Sequence, residues 1–576
     1  MRVRIPLHRL GAAVVVALTA VTAIGAPAAA DARSSETRYA GTPYVGTPYV
    51  GTRYDLGQAT PLAGPQPAVD RLAGQITSST DRMLHDLAAH RARLPYSADD
   101  YAVTTGRPKL VTYPRPDTEP ASTRYATTVS QAGRSHDPIT YTRAARRPNN
   151  REKDTSWSSF SFRGPIVVSV RTLHRTGATG CLVRPASAGV RTRYHDGTCT
   201  FALRRPANLS VEFTPQDGPV VTHPMLLFAN PLERQVPSPD DRNVLYFGPG
   251  VHRIGPNVAL HDNETVYLAG GAWVEGTFVG IDVKNVVIKG RGVLDGLFLD
   301  TGNQAENKKQ PGFIDIRCDN QGDPARTCAT NPTSSNVLID GLTLIDGPRL
   351  NVRALSSYTT VRNVKMIGWW INTDGIVAGN KSLVEHDFVK VNEDSLKLFW
   401  GDSVVRDNVV WQLENGAPFM LSWNIEQDSA NFHVYDDDVI HVEQYNAPTQ
   451  GVFDARHAGA GHLQRYLFER IHIEDASYRL FYLNVEHNRW YDPALGYGSF
   501  SELVFRDVTA PPASAFTLPS VLNGIDAEHG FRNVDLVDVR MGERCLTTAA
   551  AANLRLDPDA TSQIRVLAGP HCGGAR

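Results

Sequence analysis

The feature that most constrains this chain is a series of short apolar strands, broken at glycine, asparagine or aspartate, that begins near Asn243. VLYFGPGVHRI, ETVYLAGGAWVEG, NVVIKGRGVLDG and NVLIDGLTLIDG follow one another, and the series continues through YTTVRNVKMIG, LVEHDFVKV, SVVRDNVVWQ, NFHVYDDDVIH, LFERIHIED, LVFRDVTA and VDLVDVRMG. Aligning the polar turn positions Gly341, Asn363, Asp387 and Asn408 gives steps of 22, 24 and 21 residues. Short strands at this period, with no amphipathic helix between them, predict a right-handed parallel β-helix rather than a βα solenoid or a propeller. One coil cannot bury its own apolar face, so stacking supplies the core. Loops inserted in the later, longer repeats would gather on one side as a groove.

Within the repeats, the stretch Trp369 to Trp423 concentrates carboxylates and aromatics. Asp374 precedes the pair Glu393–Asp394 by about one coil, so the three carboxylates stack on neighbouring rungs and form a candidate acid–base site. Inverting glycoside hydrolysis needs one protonated carboxyl and one carboxylate across about 6.5–9.5 Å, and rungs about 4.8 Å apart can span that gap. Adjacent side chains on an ideal strand point to opposite faces, so Glu393 and Asp394 can share a cleft only across a bend or bulge. Close like charges then raise one pKa, as a general acid requires. Lys397 lies two pleats from Glu393. Trp369, Trp370, Phe399, Trp400, Trp411 and Trp423 are aromatics able to stack on sugar rings or to fill a core. Lys397, Trp370, Trp400 and Trp423 are the candidate substrate-binding residues. Asp387, Asp402 and Asp407 read instead as solvated turn residues.

The remaining chain reads as delivery and scaffold. Arg2, Arg4, His8 and Arg9 precede the apolar run LGAAVVVALTAVTAIGA and small residues at Ala28 and Ala30, the pattern of a cleaved secretory signal over residues 1–30. Residues 31–67 form a low-complexity linker containing GTPYV GTPYV GTRYD, with Tyr44, Tyr49 and Tyr54. In the segment 68–104, Leu72, Ile76, Met83, Leu84 and Leu87 recur at helical intervals and predict one amphipathic helix that ends before Pro95. Residues 105–238 carry β-rich runs (YATTVS, PITYTR, PIVVSVRTL, CLVRP, CTFALRRP, NLSVEFTP) that suit a β-sandwich packing on the next domain and shielding its open end. The β-helix then occupies 239–576. The six cysteines fall into three near neighbours, Cys181 with Cys199, Cys318 with Cys328 and Cys545 with Cys572, which in an exported chain read as local disulfides, the first pinning a hairpin of the sandwich. Their spacing matches no zinc site, and no cofactor is expected. Lys and Arg number 58 against 60 Asp and Glu, a balance that favours a neutral substrate over nucleic acid or an anionic membrane. The expected product is a secreted, extracellular monomer acting on a polysaccharide.

TDG at 373–375, VNEDSLKLFW at 391–400 and VVRDNVVWQLENGAPFMLSW at 404–423 resemble the active-site region of glycoside hydrolase family 49, the dextranase and isopullulanase family within the pectin-lyase-like superfamily. The resemblance covers about residue 105 to the end. It implies a secreted N-terminal β-sandwich followed by a right-handed β-helix, inversion at the anomeric carbon of a dextran-like α-1,6-glucan, and three acidic residues. On the matching positions Glu393 would be the general acid, with Asp374 and Asp394 activating water. The chain departs from the family at Glu393, where aspartate is usual. Family 28, the polygalacturonases, shares NTDG at 372–375, but its Gly-His-Gly and Arg-Ile-Lys signatures are not evident. Other readings are a hydrolase of different linkage specificity, a calcium-dependent lyase using Asp436, Asp437 and Asp438, and a non-catalytic glycan-binding protein.

Overall fold

A computed structural model describes residues 66–91, 101, 106–147, 150–174, 177–215, 220–318, 333–444 and 449–572. The signal segment, the tyrosine-containing linker and Cys328 lie outside the described residues. From Val244 the chain winds into a sheet of 31 strands in which each strand pairs with the equivalent strand of the next coil, almost always in parallel. This is the β-helix that the repeats predict. Its interior is one continuous apolar cluster running from Phe247 to Val566. Identical side chains stack from coil to coil, as where the rings of Phe419 and Phe453 lie 5.2 Å apart and those of Phe453 and Phe481 5.3 Å apart.

The coil has three faces. One carries Ser357–Arg362, Leu383–Glu385, Ser403–Arg406 and Ser429–Tyr435. A second carries Thr343–Ile345, Lys365–Ile367, Phe388–Val391, Val409–Gln412 and Asp438–Val442. The third carries Val352–Ala354, Ile376–Ala378, Leu396–Lys397, Phe419–Met420, Phe453–His457 and Phe481–Val485.

Between the first and second faces the backbone turns through one left-handed residue per coil: Gly341 (φ 91°), Asn363 (53°), His386 (57°), Asp407 (56°) and Asp436 (57°). The sequence alignment of turns is therefore corrected by one position at two coils. Asp387 and Asn408 follow the left-handed residue, and their buried side chains bond the preceding coil. Asp387 accepts from the Val364 N–H (2.7 Å), Asn408 Oδ1 from the Asp387 N–H (2.9 Å), and Asp437 Oδ1 from the Asn408 N–H (2.7 Å). Asp387 is thus an internal tie and not a solvated turn, because a polar atom at this level satisfies a backbone N–H that water cannot reach. Asp407, by contrast, is exposed.

The first face is covered by helix α1 (Gln66–Arg91), predicted from its apolar spacing. Val69, Leu72, Ala73 and Ile76 pack on Leu467, Val504 and Val537, whereas Met83 and Leu87 pack on Leu383 and Val404. The helix therefore runs from late coils back to early ones, and His90 stacks on Tyr358 at 3.7 Å. Its 26 residues measure about 39 Å, enough to cross the rungs between these contacts at about 4.8 Å each. Truncating Ile76 to Ala removes a fully buried side chain at this seam. The expected loss is about 2–4 kcal/mol of unfolding free energy, measured by denaturant titration.

The second face is covered by the sandwich. One sheet orders Lys109–Thr112, Asp154–Arg163, Met225–Asn230, Ala207–Thr214 and Gly180–Arg184, with Thr140–Ala144 alongside Asp154–Arg163; the other orders Arg134–His136, Tyr125–Gln131, Ile166–Thr172, Thr198–Leu203 and Thr192–His195. Cys181 and Cys199 are bonded and sit in different sheets, so this disulfide ties the two layers together instead of pinning a hairpin. Cys545–Cys572 is also formed, and Cys318 is disulfide-bonded. The sandwich lies along the side of the coil rather than over its open end. Trp157, Leu226 and Phe228 pack there against Trp273, Ile345, Ile367, Trp369, Phe388, Trp411 and Ile440. Charges are paired at the same seam: Lys390 with Glu152, Arg143 with Asp295 (2.8 Å), and His441 with Glu212 (2.8 Å).

Candidate active site

Neither α1 nor the sandwich covers the third face, and there the sequence-predicted carboxylates meet. Ile376 pairs with Leu396 in register. The Gly375 N–H donates to the Asp394 carbonyl (2.9 Å) and the Ser395 N–H to the Ala417 carbonyl (2.8 Å). Asp374 and Asp394 consequently occupy equivalent places on consecutive rungs. Residues 392–395 form the bend that the adjacency of Glu393 and Asp394 requires, between the strands Phe388–Val391 and Leu396–Lys397.

The bend is held by side chains that the sequence did not single out. Gln412 donates from Nε2 to the Glu393 carbonyl (2.9 Å) and accepts from Ser395 Oγ (2.7 Å), while Asn392 donates to the Trp369 carbonyl (2.7 Å). Gly416 lets the next rung approach: its φ is 82°, and a Cβ there would stand 2.2 Å from the Glu393 carbonyl carbon and 2.4 Å from the Asp394 nitrogen. The dipeptide Asn415–Gly416 is itself a turn signal, which could have located this contact from the sequence.

The electrostatics separate the three acids. Lys397 is salt-bridged to Asp374 and lies 3.3 Å from Asp394 Oδ2, which also accepts from the Trp423 indole N–H (2.8 Å). Asp394 Oδ1 is buried without a partner. Glu393 accepts from the Asn372 N–H (3.2 Å) and from the Asn415 side-chain amide. Burial, followed by the charges of Asp394 and Asp374, pushes the Glu393 carboxyl up to about 8. Burial also raises Asp394, against the opposing pull of Lys397. Lys397 is itself raised by the two carboxylates despite its burial, and so stays charged. One cation lies between two aspartates, and a third negative charge beside them is disfavoured, which favours the protonated form of Glu393.

The aromatics divide. Trp423 is at the site. Trp400, 5% exposed, belongs to the interior cluster, and its indole N–H has no partner. Phe399 joins it there. Trp370 is 4% exposed, and its carbonyl accepts the Thr373 hydroxyl (2.7 Å) just before Asp374. Trp369 and Trp411 fill the sandwich seam. The Asp436–Asp438 run is also dispersed: Asp436 pairs with Arg470 (2.6 Å), Asp437 bonds Asn408, and Asp438 accepts from Ser187 (2.6 Å). Among the described residues no group of three or more His, Cys, Asp or Glu is arranged to hold a metal ion.

No family model matches the chain. It is 26% identical to a dextranase of Arthrobacter sp. (strain CB-8), over 50% of this chain and 55% of that protein. It is 23% identical to an isopullulanase of Aspergillus niger, over 52% of this chain and 60% of that one. The structure matches Dex49A from Penicillium minioluteum with a TM-score of 0.60 at 16% identity, covering 79% of this chain and 96% of the other. The chain is thus similar to dextranases and an isopullulanase over about half its length, and its fold is that of Dex49A. The alignments span little more than half the length of the curated relatives. The solved neighbour fixes the fold, while the site is described by its own geometry.

Proposed function

We propose that this chain is an exported, inverting glycoside hydrolase of a neutral α-linked polysaccharide, with dextran-like α-1,6-glucan the first substrate to test. The observation that carries the reading is the arrangement on the third face, where Glu393 lies buried beside two aspartates tied to Lys397, a setting that raises its carboxyl and favours its protonated form. Glu393 protonates the glycosidic oxygen as the bond to the anomeric carbon breaks. Asp374 and Asp394 orient a water on the opposite face of the sugar and take its proton, and the buried, unpartnered Asp394 Oδ1 is the atom suited to accept it. The relatives named dextranase and isopullulanase support an α-glucan. The disulfides support export.

Release of reducing ends from dextran, pullulan, nigeran, pectin and arabinan, with the first-formed anomer followed by NMR, tests the reading. An inverted product from an α-glucan is expected, and retention of configuration would overturn the mechanism. The pH dependence is a further check. A general acid must be protonated, so kcat/KM is expected to fall as pH rises through about 8, the value to which Glu393 is pushed. On the acid side, activity falls as the water-activating carboxylate protonates.

A further inference from the structure

Past the carboxylates, the third face continues through Phe419–Met420 and Phe453–His457 to Phe481–Val485, three rungs beyond Leu396–Lys397. A line of side-chain contacts follows it. Trp423, whose indole holds Asp394, lies under the Arg456 guanidinium at 5.1 Å from the ring centroid. Arg456 donates to Glu486 (2.8 Å), and the Asn488 amide donates to both Glu486 (3.2 Å) and the Arg456 carbonyl (3.0 Å). Asn488 Oδ1 in turn accepts the Trp490 N–H (2.9 Å).

Trp490 opens a loop between Phe481–Val485 and Ser499–Ala510 that is rich in rings. Tyr491 and Tyr497 stack at 4.2 Å, and His487 lies 4.7 Å from Tyr491 and bonds the Tyr497 hydroxyl (2.9 Å). Trp490 itself is 41% exposed, with the Arg489 guanidinium 4.7 Å from its centroid. The loop closes on itself through Asp492, which accepts from the Ala494 N–H (3.0 Å). An exposed indole held on a hydrogen-bonded loop, at the end of a polar track leading from Asp394, presents a flat apolar face with polar groups beside it, the pairing that a sugar ring with its hydroxyls matches.

We propose that the loop from Glu486 to Gly498 is a distal glycan-binding platform. On it the apolar face of a pyranose ring of the same α-glucan stacks on Trp490, while Arg456, Glu486 and Asn488 bond ring hydroxyls along the way. The inference rests on the active-site reading above. It adds that this chain prefers long substrates, because three rungs of about 4.8 Å place the platform about 14 Å along the coil from Lys397, several sugar units from the scissile bond.

The test measures, in parallel, binding and cleavage of dextran oligosaccharides of increasing length. Binding is measured by titration calorimetry on the Asp394→Asn chain with and without Trp490→Ala, and cleavage on the parent and the Trp490→Ala chain. Ile525→Ala, at another residue that is 41% exposed, controls for loss of surface apolarity. Trp490→Ala is expected to weaken binding of long oligosaccharides by about fivefold to tenfold, the size of one ring-stacking contact. Trisaccharide binding and kcat should stay unchanged, so the effect appears in KM for long chains alone. Equal affinity of the two chains for long oligosaccharides overturns the platform, while cleavage by the parent leaves the active-site reading standing. Length-dependent binding lost in Trp490→Ala without cleavage by the parent supports the platform and overturns the hydrolase reading. Absence of glucan binding and of cleavage overturns both.

Discussion

Replacing Glu393 by Gln is expected to lower kcat/KM on the preferred glucan by about 10²- to 10⁴-fold, the range that a positioned general acid contributes. The substitution keeps the shape of the side chain, and its amide oxygen can still accept from the Asn372 N–H and the Asn415 amide. Only the transferable proton is removed. Two readouts separate this from a structural lesion. The alkaline limb of the pH profile should vanish, and a substrate with a leaving group that needs no protonation, such as a glycosyl fluoride, should retain most of its rate. Activity within a few fold of the parent would show that another group supplies the proton. Glu393→Asp is a useful companion, since aspartate withdraws the carboxyl by about 1.5 Å from an amide pair built around glutamate, and a misplacement of about 1 Å can cost a hundredfold.

Gly416→Ala is expected to be nearly as damaging, although residue 416 bears no functional group. A methyl there would enter the backbone of Glu393 and Asp394, and the left-handed φ of 82° disfavours any side chain. The bend must then shift, carrying both carboxyls with it. The expected outcome is a loss of about a hundredfold in kcat/KM with about 1–3 kcal/mol lost from unfolding. Steady-state kinetics and denaturant titration on the same preparation measure both. A variant that folds less stably yet turns over normally would mean that the bend does not place the acids.

The repeating plan was legible because apolar strands recur many times, and an error at one coil does not disturb the rest. The turn register was less so. Turns in this chain carry polar doublets such as His386–Asp387, Asp407–Asn408 and Asp436–Asp437. The first member takes the left-handed conformation and the second turns inward to tie the neighbouring coil. Either member suits a turn by composition, so only packing decides. The strand Asp154–Arg163 escaped notice for a similar reason. Its serines 156, 158 and 161 look soluble, but they are buried because one side of the strand faces the sandwich interior and the other the coil.

At the site, the three carboxylates and Lys397 were readable from a one-coil spacing and from family resemblance. The supporting amides Gln412 and Asn415 were not, since amides are ordinary in loops and gain meaning only when a bend brings a carbonyl or carboxylate to them. The tryptophans misled in the opposite direction. Bends and one-residue turns interrupt the two-residue alternation that would reveal which side a ring occupies. Trp400 therefore lies inside the coil, Trp411 lies under the sandwich, and Trp423 alone of the pair of rings flanking Phe419 and Met420 reaches the acids.

A stacked coil alone touches only its neighbours, so its rungs could melt one after another from either end, as in any one-dimensional array. Here α1 grips rungs as far apart as Leu383 and Val537, and the sandwich grips rungs from Trp273 to Ile440. Both braces tie together coils that are not adjacent. Opening one rung then strips contacts from several others, which turns a zipper into a cooperative block. The face left unbraced is the one that would admit a polymer on the proposed reading, and its loops can lengthen without unfastening the coil.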